Sequence, residues 1–351
     1  MKIPRFRFQH SKAQAAAVSQ VYERGLTVKG PHRDLLTESL SSIFGYRYAV
    51  LTANCSLALV LGLEQVGSPD VSIPRLQTCH SLVNACYSAG KVIHYRESFG
   101  TGIAQTICAN CDIPIVSSPL FGRLEQSFDP STGHLCLTDQ LPCSALEDAA
   151  QGFLARIGTT GRSPLMALSF YPTKFPGGAD GGALLLNDED MYLRIRERLS
   201  HSSASSPPRV NWSITNLQAA VVLSGLESVD KLTSEARRAF LQLSMSCEKL
   251  GLPYLETHEN DVPTRFIVFP GTHTDTVAFS SAMIARGIET VSEVIDAATA
   301  VPTGAVGGSA EPFPPHVSLP FYPGISERDI ERVCGALEAV LSRPPSERSE
   351  N

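Results

Sequence analysis

The chain alternates short apolar runs with helix-like stretches, a rhythm that few folds besides a layered α/β architecture accommodate. Tyr46 to Leu51 reads as a strand and leads through small polar residues into an apolar helix, Leu57 to Val66. Val71 to Pro74 is a second strand, Thr78 to Ala89 a helix closed by Gly90, and Lys91 to Tyr95 a third strand. Ile113 to Val116 and Cys143 to Leu146 continue the series, the latter running into Glu147-Asp148-Ala149-Ala150-Gln151. Strands separated by helices imply parallel pairing, because a parallel connection must cross back over the sheet. In such a sheet ligands bind beyond the carboxyl ends of the strands. Asp148 and Ser169 both fall at such ends.

Near the middle lies Ser169-Phe170-Tyr171-Pro172-Thr173-Lys174, followed by a glycine-rich run to Gly182. Apolar runs flank it, Leu165 to Leu168 and Ala183 to Leu186, both read as buried strands. Lys174 therefore sits on a tight connection between two core strands. Burial there disfavours the ammonium, and a neutral amine can form a Schiff base with a carbonyl compound. The glycines let the backbone turn and let a ligand approach closely. Taken alone, the lysine could equally be a solvated loop residue.

At 351 residues the chain exceeds one ordinary small core, so a large domain, 1–232, and a smaller C-terminal α/β domain, 233–351, are expected. Val229 to Leu250 is the long helix that would join them, and the polar residues from 343 to 351 are expected to be disordered. A net charge of -6 with no basic block argues against nucleic acid. No apolar run approaches bilayer length, so no membrane partner is expected. The N-terminal residues lack the apolar stretch of a secretory signal, which points to the cytoplasm and to reduced cysteines. Cys108 and Cys111 have metal-like spacing but no second pair to complete a zinc site, so no metal is expected.

Thr52-Ala53-Asn54-Cys55-Ser56 is the other suggestive stretch. A strand that passes through it into a helix N-terminus can hold an anion on free N–H groups, although an ordinary capped helix has the same appearance. Arg75 and Arg209 lie beside these segments and could grip a carboxylate or phosphate, or simply be solvated.

Taken together, these blocks resemble the DegT/DnrJ/EryC1/StrS sugar aminotransferases, pyridoxal phosphate enzymes of fold type I. Ser169 to Lys174 with its glycines is similar to that family's Schiff-base motif. Leu146 to Gln151 is similar to its EDAAQ block, and Asn84 to Gly90 to the segment after its first cofactor loop. Asn211 to Ala220 resembles its NYRM..LQAA block, and Ala285 to Thr290 and Val317 to Pro323 resemble its C-terminal signatures.

The resemblance implies a large domain built on a mostly parallel seven-stranded sheet between helices. It implies that Lys174 binds pyridoxal 5'-phosphate and moves a proton, and that Asp148 pairs with the pyridine nitrogen. Gln151 would lie near the phenolic oxygen. Ser169 and the amides of Cys55 and Ser56 would hold the phosphate, and Cys79 or His80 would cover the ring. Asn211 would reach the phosphate from a neighbouring subunit, making a homodimer with shared sites. The implied reaction moves an amino group, from glutamate, to a nucleotide-linked keto-sugar in amino-sugar or natural-product biosynthesis. A dehydrating or eliminating enzyme and a non-catalytic relative are the alternatives; retention of Lys174 argues against the sugar dehydratases, which replace it with histidine. Three departures set this chain apart: Asn54-Cys55-Ser56 where Ser-Gly-Thr is usual, Ser213 where the family has arginine, and no counterpart of a substrate segment between Val291 and Pro314.

Overall fold

The computed structural model describes residues 2–7, 11–96, 107–108, 113–122, 126–129, 134–137, 144–158, 163–200, 209–257, 261–293, 295–300, 314–322 and 324–342. Its centre is a seven-stranded sheet. In chain order the strands are β1 (Tyr48–Thr52), β2 (Asp70–Pro74), β3 (Val92–Arg96), β5 (Ile115–Ser117), β8 (Ser144–Asp148), β9 (Leu165–Ser169) and β10 (Gly182–Leu186). They lie in the order β1-β10-β9-β8-β5-β2-β3. β10 runs antiparallel to both its neighbours, and the remaining pairings are parallel.

The uniform apolarity of β9 and β10 follows from burial on both faces. Met166, Leu168, Ala183 and Leu185 join one core cluster, whereas Leu165, Ala167, Leu184 and Leu186 join another. Period-two alternation thus feeds two cores from one continuous run. Helices α3 (Cys55–Gln65) and α4 (His80–Ser88) cover the second face. The first face is covered by α2 (Pro31–Phe44) and α7 (Asn216–Leu226), packed with α1 (Lys12–Glu23).

The C-terminal part begins with α8 (Val229–Leu250) and adds α9 (His273–Ala285), α10 (Glu327–Leu341) and a two-stranded antiparallel sheet of β11 (Phe266–Val268) and β12 (Val317–Leu319). Phe240, Leu243, Phe266 and Val333 belong to the same core cluster as Leu36, Phe44 and Leu168, so apolar packing is continuous between the two parts. The N-terminal segment also reaches this part: Ile3 donates to the carbonyl of Gly287 at 2.7 Å and accepts from the amide of Glu289 at 2.9 Å.

One element was not anticipated. β4 (Ile107–Cys108), β6 (Gln126–Asp129) and β7 (His134–Leu137) form a separate three-stranded sheet in a stretch whose glycines and prolines read as irregular. β4 is too short to give a periodic signal. Cys111 and Cys143, and the side chains of Cys108 and Cys136, lie outside the described residues. Among the described residues no helix is long and apolar enough to cross a membrane.

Candidate active site

The carboxyl edge of the sheet gathers most of the residues singled out above. Asp148 ends β8 and Ser169 ends β9, and the two strands are direct neighbours. Beyond Ser169 the chain makes a compact loop before returning as β10. Lys174 donates its amide to the carbonyl of Tyr171 at 2.8 Å, Gly177 donates to the carbonyl of Lys174 at 2.7 Å, and Gly178 donates to that of Phe170 at 2.9 Å. These bonds fix the lysine backbone above the strand ends.

α3 starts at the same edge. Asn54 is its N-cap, with the side chain accepting from Leu57 N–H at 3.0 Å. Thr52 Oγ1 donates to the Asn54 carbonyl at 2.8 Å, and Ala53 N–H donates to the carbonyl of Trp212 at 2.6 Å. The first helical amides, those of Cys55 and Ser56, thus end in a braced turn beside Ser169 and Gly182. Free amides at a helix start favour an anion.

The electrostatics of the edge are those of a mutually dependent pair. Asp148 is buried, and its Oδ1 accepts from Ala150 N–H at 3.2 Å. Burial pushes its carboxyl up to about 6, while the Ala150 amide and the charge of Lys174 pull it down. Lys174 moves the other way: burial lowers its pKa, Asp148 opposes that shift, and Arg265 reinforces it. Cys55 lies in the same cluster, its thiol raised well above the ordinary value by burial and by the charge of Asp148. Cys79 is exposed at the N-cap of α4, accepts a hydrogen bond from Ser81 Oγ at 3.1 Å, and contributes to the field at Lys174 and Cys55. His80, the first residue of α4, is also exposed.

Gln151 lines the cavity that holds Lys174 and accepts from Phe121 N–H at 3.3 Å. The Ser169 hydroxyl accepts from Tyr171 N–H at 3.4 Å. Asn211 is exposed one residue before Trp212, whose carbonyl braces the loop at Ala53. Two arginines considered as anion ligands are engaged elsewhere. Arg75 pairs with Asp296 through Nε and Nη2 at 3.0 and 2.9 Å, and Arg209 pairs with Glu197 at 2.7 Å. Arg5, Thr264, Arg265 and Tyr322 are among the other polar residues that line the cavity, and the sequence did not single them out as site residues. Among the described residues no His, Cys, Asp and Glu cluster could hold a metal ion.

These residues fit pyridoxal phosphate. A buried carboxyl raised by desolvation suits a ring nitrogen that would share its charge. A lysine shifted toward its neutral form suits an aldehyde. The amide end of α3 beside a serine hydroxyl suits a phosphate, and the side-chain-free Gly182 lets the Asn54–Cys55 backbone pack directly against the start of β10.

A mixed sheet of this order, with a lysine on the β9–β10 connection and an aspartate at the end of β8, is the architecture of the pyridoxal phosphate-dependent enzymes of fold type I. Residues 134–338 match the DegT/DnrJ/EryC1/StrS aminotransferase family, and the chain belongs to that family. The UDP-2-acetamido-2-deoxy-3-oxo-D-glucuronate aminotransferase of Pseudomonas aeruginosa is 22% identical, over 92% of this chain and 94% of that protein. The aminotransferase TlmJ of Streptoalloteichus hindustanus superposes with a TM-score of 0.79 at 18% identity, over 97% of this chain and 99% of that one. A putative sugar aminotransferase of Streptococcus pneumoniae, solved in a PLP form, gives 0.77 at 13% identity over 97% of this chain and 98% of that one.

Proposed function

We propose that this protein is a pyridoxal phosphate-dependent aminotransferase that moves an amino group from glutamate to a keto-sugar, nucleotide-linked, in amino-sugar or natural-product biosynthesis. The observation that carries this reading is the placement of Asp148 at the end of β8 and of Lys174 on the loop that follows the adjacent β9, with opposite shifts in proton affinity. Family membership supports the reaction class. The glucuronate aminotransferase relative supports a sugar acceptor, and the streptococcal protein, solved in PLP and PMP forms, supports the cofactor.

In this reading Asp148 would hold the ring nitrogen, Ser169 and the amides of Cys55 and Ser56 the phosphate, and Lys174 the reactive carbon. Gln151 would sit at the phenolic oxygen. Cys79, which shares the field of Lys174 and Cys55, suits the ring face better than His80. When bound, the cofactor supplies an aldehyde and an electron-withdrawing ring. Asp148, as a carboxylate, would keep the ring nitrogen protonated. Lys174, whose proton affinity burial lowers, would take at Nζ the proton that leaves the substrate carbon and hand that same proton on within the site. We also read the protein as a cytoplasmic homodimer in which Asn211, exposed beside the loop at Ala53, serves the partner's site.

The test is spectroscopic. Purified protein incubated with glutamate should convert its cofactor from the aldehyde to the amine form, and a keto-sugar should reverse the change. Borohydride should trap the cofactor on the peptide containing Lys174 and fail to do so in Lys174→Ala. A trapped adduct in that variant would refute the assignment.

A further inference from the structure

Three non-glycine residues among those described have left-handed backbone: Gln77 at φ 60°, Phe121 at 57° and Asp180 at 68°. All three stand at the carboxyl edge of the sheet, where Gln77 follows β2, Phe121 follows β5 and Asp180 precedes β10. Such a backbone is costly for a residue with a side chain, persists only where its surroundings fix it, and gathers at functional sites. Asp180 belongs to the loop that carries Lys174. The other two are held by the C-terminal part. Gln77 N–H donates to the carbonyl of Ile295 at 2.6 Å, Ala297 N–H donates to that of Arg75 at 2.8 Å, and Leu76 pairs with Asp296 in an antiparallel bridge. The side chains repeat this pairing. Arg75 donates to Asp296 through Nε and Nη2 at 3.0 and 2.9 Å, and Asp296 Oδ1 also accepts from Ala298 N–H at 2.9 Å. Leu76 is buried in a cluster with Leu255 and Ile267, and Phe121 belongs to the same cluster. A second cost falls on Gln77, whose buried Nε2 has no hydrogen-bond partner among the described residues.

We propose that Arg75 and Asp296 are positioning residues, whose pairing latches the 295–298 strap onto the 75–78 loop and so sets Cys79 against the cofactor ring. A guanidinium fork on a carboxylate fixes direction as well as distance, which a point contact between charges does not. Direction is what Gln77 requires, because a left-handed residue relaxes to another backbone region once its neighbours are released. Cys79 lies two residues further on, at the N-cap of α4, and would move with it. Its charge is felt at Lys174, in keeping with a place beside the ring. The proposal rests on the reading that puts Cys79 at the ring face. Both latch side chains reach solvent, with exposures of 26% and 25%, so substituting one does not leave the other sealed away from water.

The experiment follows alkylation of Cys79 by iodoacetamide in the full-length protein, with and without pyridoxal phosphate, peptide by peptide in a mass spectrometer. In wild type the cofactor should slow alkylation of Cys79. Asp296→Asn should lose most of that protection and bind the cofactor about 3- to 10-fold more weakly, the scale of one lost hydrogen bond. The induced circular dichroism of its bound cofactor should fall as well, because the ring is no longer held in one environment. Arg75→Lys keeps the charge without the fork and should lie between; it decides on the same readouts if Asp296→Asn does not fold. Arg47→Lys, at an ion pair with Glu189 on the opposite edge of the sheet, should behave as wild type. A latch that serves stability alone would lower the melting temperature and leave protection, dichroism and affinity unchanged, and that result overturns the proposal. So does a wild type that binds the cofactor without protecting Cys79, which removes Cys79 from the ring face but leaves Lys174 and Asp148 in place. Failure of wild type to bind pyridoxal phosphate would instead defeat the cofactor site as a whole, and the proposal with it.

Discussion

Gly182 presses against Asn54: a Cβ at position 182 would stand 2.7 Å from the carbonyl carbon and oxygen of Asn54 and equally close to the amide nitrogen of Cys55. The start of β10 therefore sets the position of the α3 N-terminus, and with it the amides assigned to the phosphate. Backbone cannot yield as a flexible side chain can, so Gly182→Ala must displace either β10 or the helix start. We expect a loss of stability of about 1–3 kcal/mol, as for overpacking of a close contact. Cofactor affinity should fall at the same time, because the amides move. Urea denaturation and cofactor titration check this; unchanged affinity in a destabilised variant would separate Gly182 from the phosphate site.

Asp148 gives a pH dependence whose sign is fixed by its environment. Its folded pKa, about 6, lies above the ordinary carboxyl value of 3.8, so the proton is held more tightly in the folded state. The stability it contributes is complete below the unfolded value and is lost as pH rises through about 6. Cofactor-free protein should thus be less stable at pH 7.5 than at pH 5 by about 1.4 kcal/mol from this group. Asp148→Asn should flatten that part of the profile and should also weaken the cofactor's electron-withdrawing action, lowering kcat. A wild-type profile that matches the variant's would contradict the buried-carboxyl account.

Next to Asp148, Glu147 accepts from Arg156 Nε at 2.6 Å, with side-chain exposures of 1% and 2%. Both charges are out of water, so their pairing is obligatory rather than generous. Glu147→Ala should destabilise the fold by about 3–5 kcal/mol, because it removes the carboxylate that neutralises a buried guanidinium. Replacing both residues with apolar side chains of similar volume should recover much of that loss. Glu147 also raises the Asp148 pKa by its charge, so Glu147→Gln should shift the Asp148 titration downward. Chemical denaturation and an NMR-monitored titration test the two halves separately.

The sequence made the strand ends legible for a simple reason. β9 is an apolar run that stops abruptly at Ser169, and such a stop marks the edge of a doubly buried sheet, whereas β8 offers only the short stretch Ala145-Leu146 before Glu147 and Asp148. Lys174 was legible because the returning run, Ala183 to Leu186, forces a tight connection. The opposite wall had no such mark. Arg5 and Arg265 are far apart in sequence and meet only because Ile3 pairs beside Ile288, a contact that leaves no periodic trace. Tyr322 follows a short strand, and its buried hydroxyl cannot be told from a satisfied one in the sequence. Arg75 and Arg209 were candidate anion ligands by their position in the chain, but Asp296 and Glu197 engage them. Partners distant in sequence decide such cases.

Asn211 tests whether the site is shared. It is exposed, yet Trp212 beside it braces the loop of its own chain through the 2.6 Å bond to Ala53. If Asn211 serves the neighbouring subunit, Lys174→Ala and Asn211→Ala each disable a site from opposite sides of the interface. Mixed, refolded subunits would then pair into hybrids with one site built entirely from intact residues. We expect each variant alone to be nearly inactive, and the mixture to regain part of the wild-type rate. Light scattering should show a dimer for all three samples. If Asn211 instead acts within its own chain, one hybrid site lacks the lysine and the other lacks the asparagine, and mixing restores nothing. Recovery on mixing therefore depends on the direction in which Asn211 points across the dimer, and no change in overall stability could mimic it.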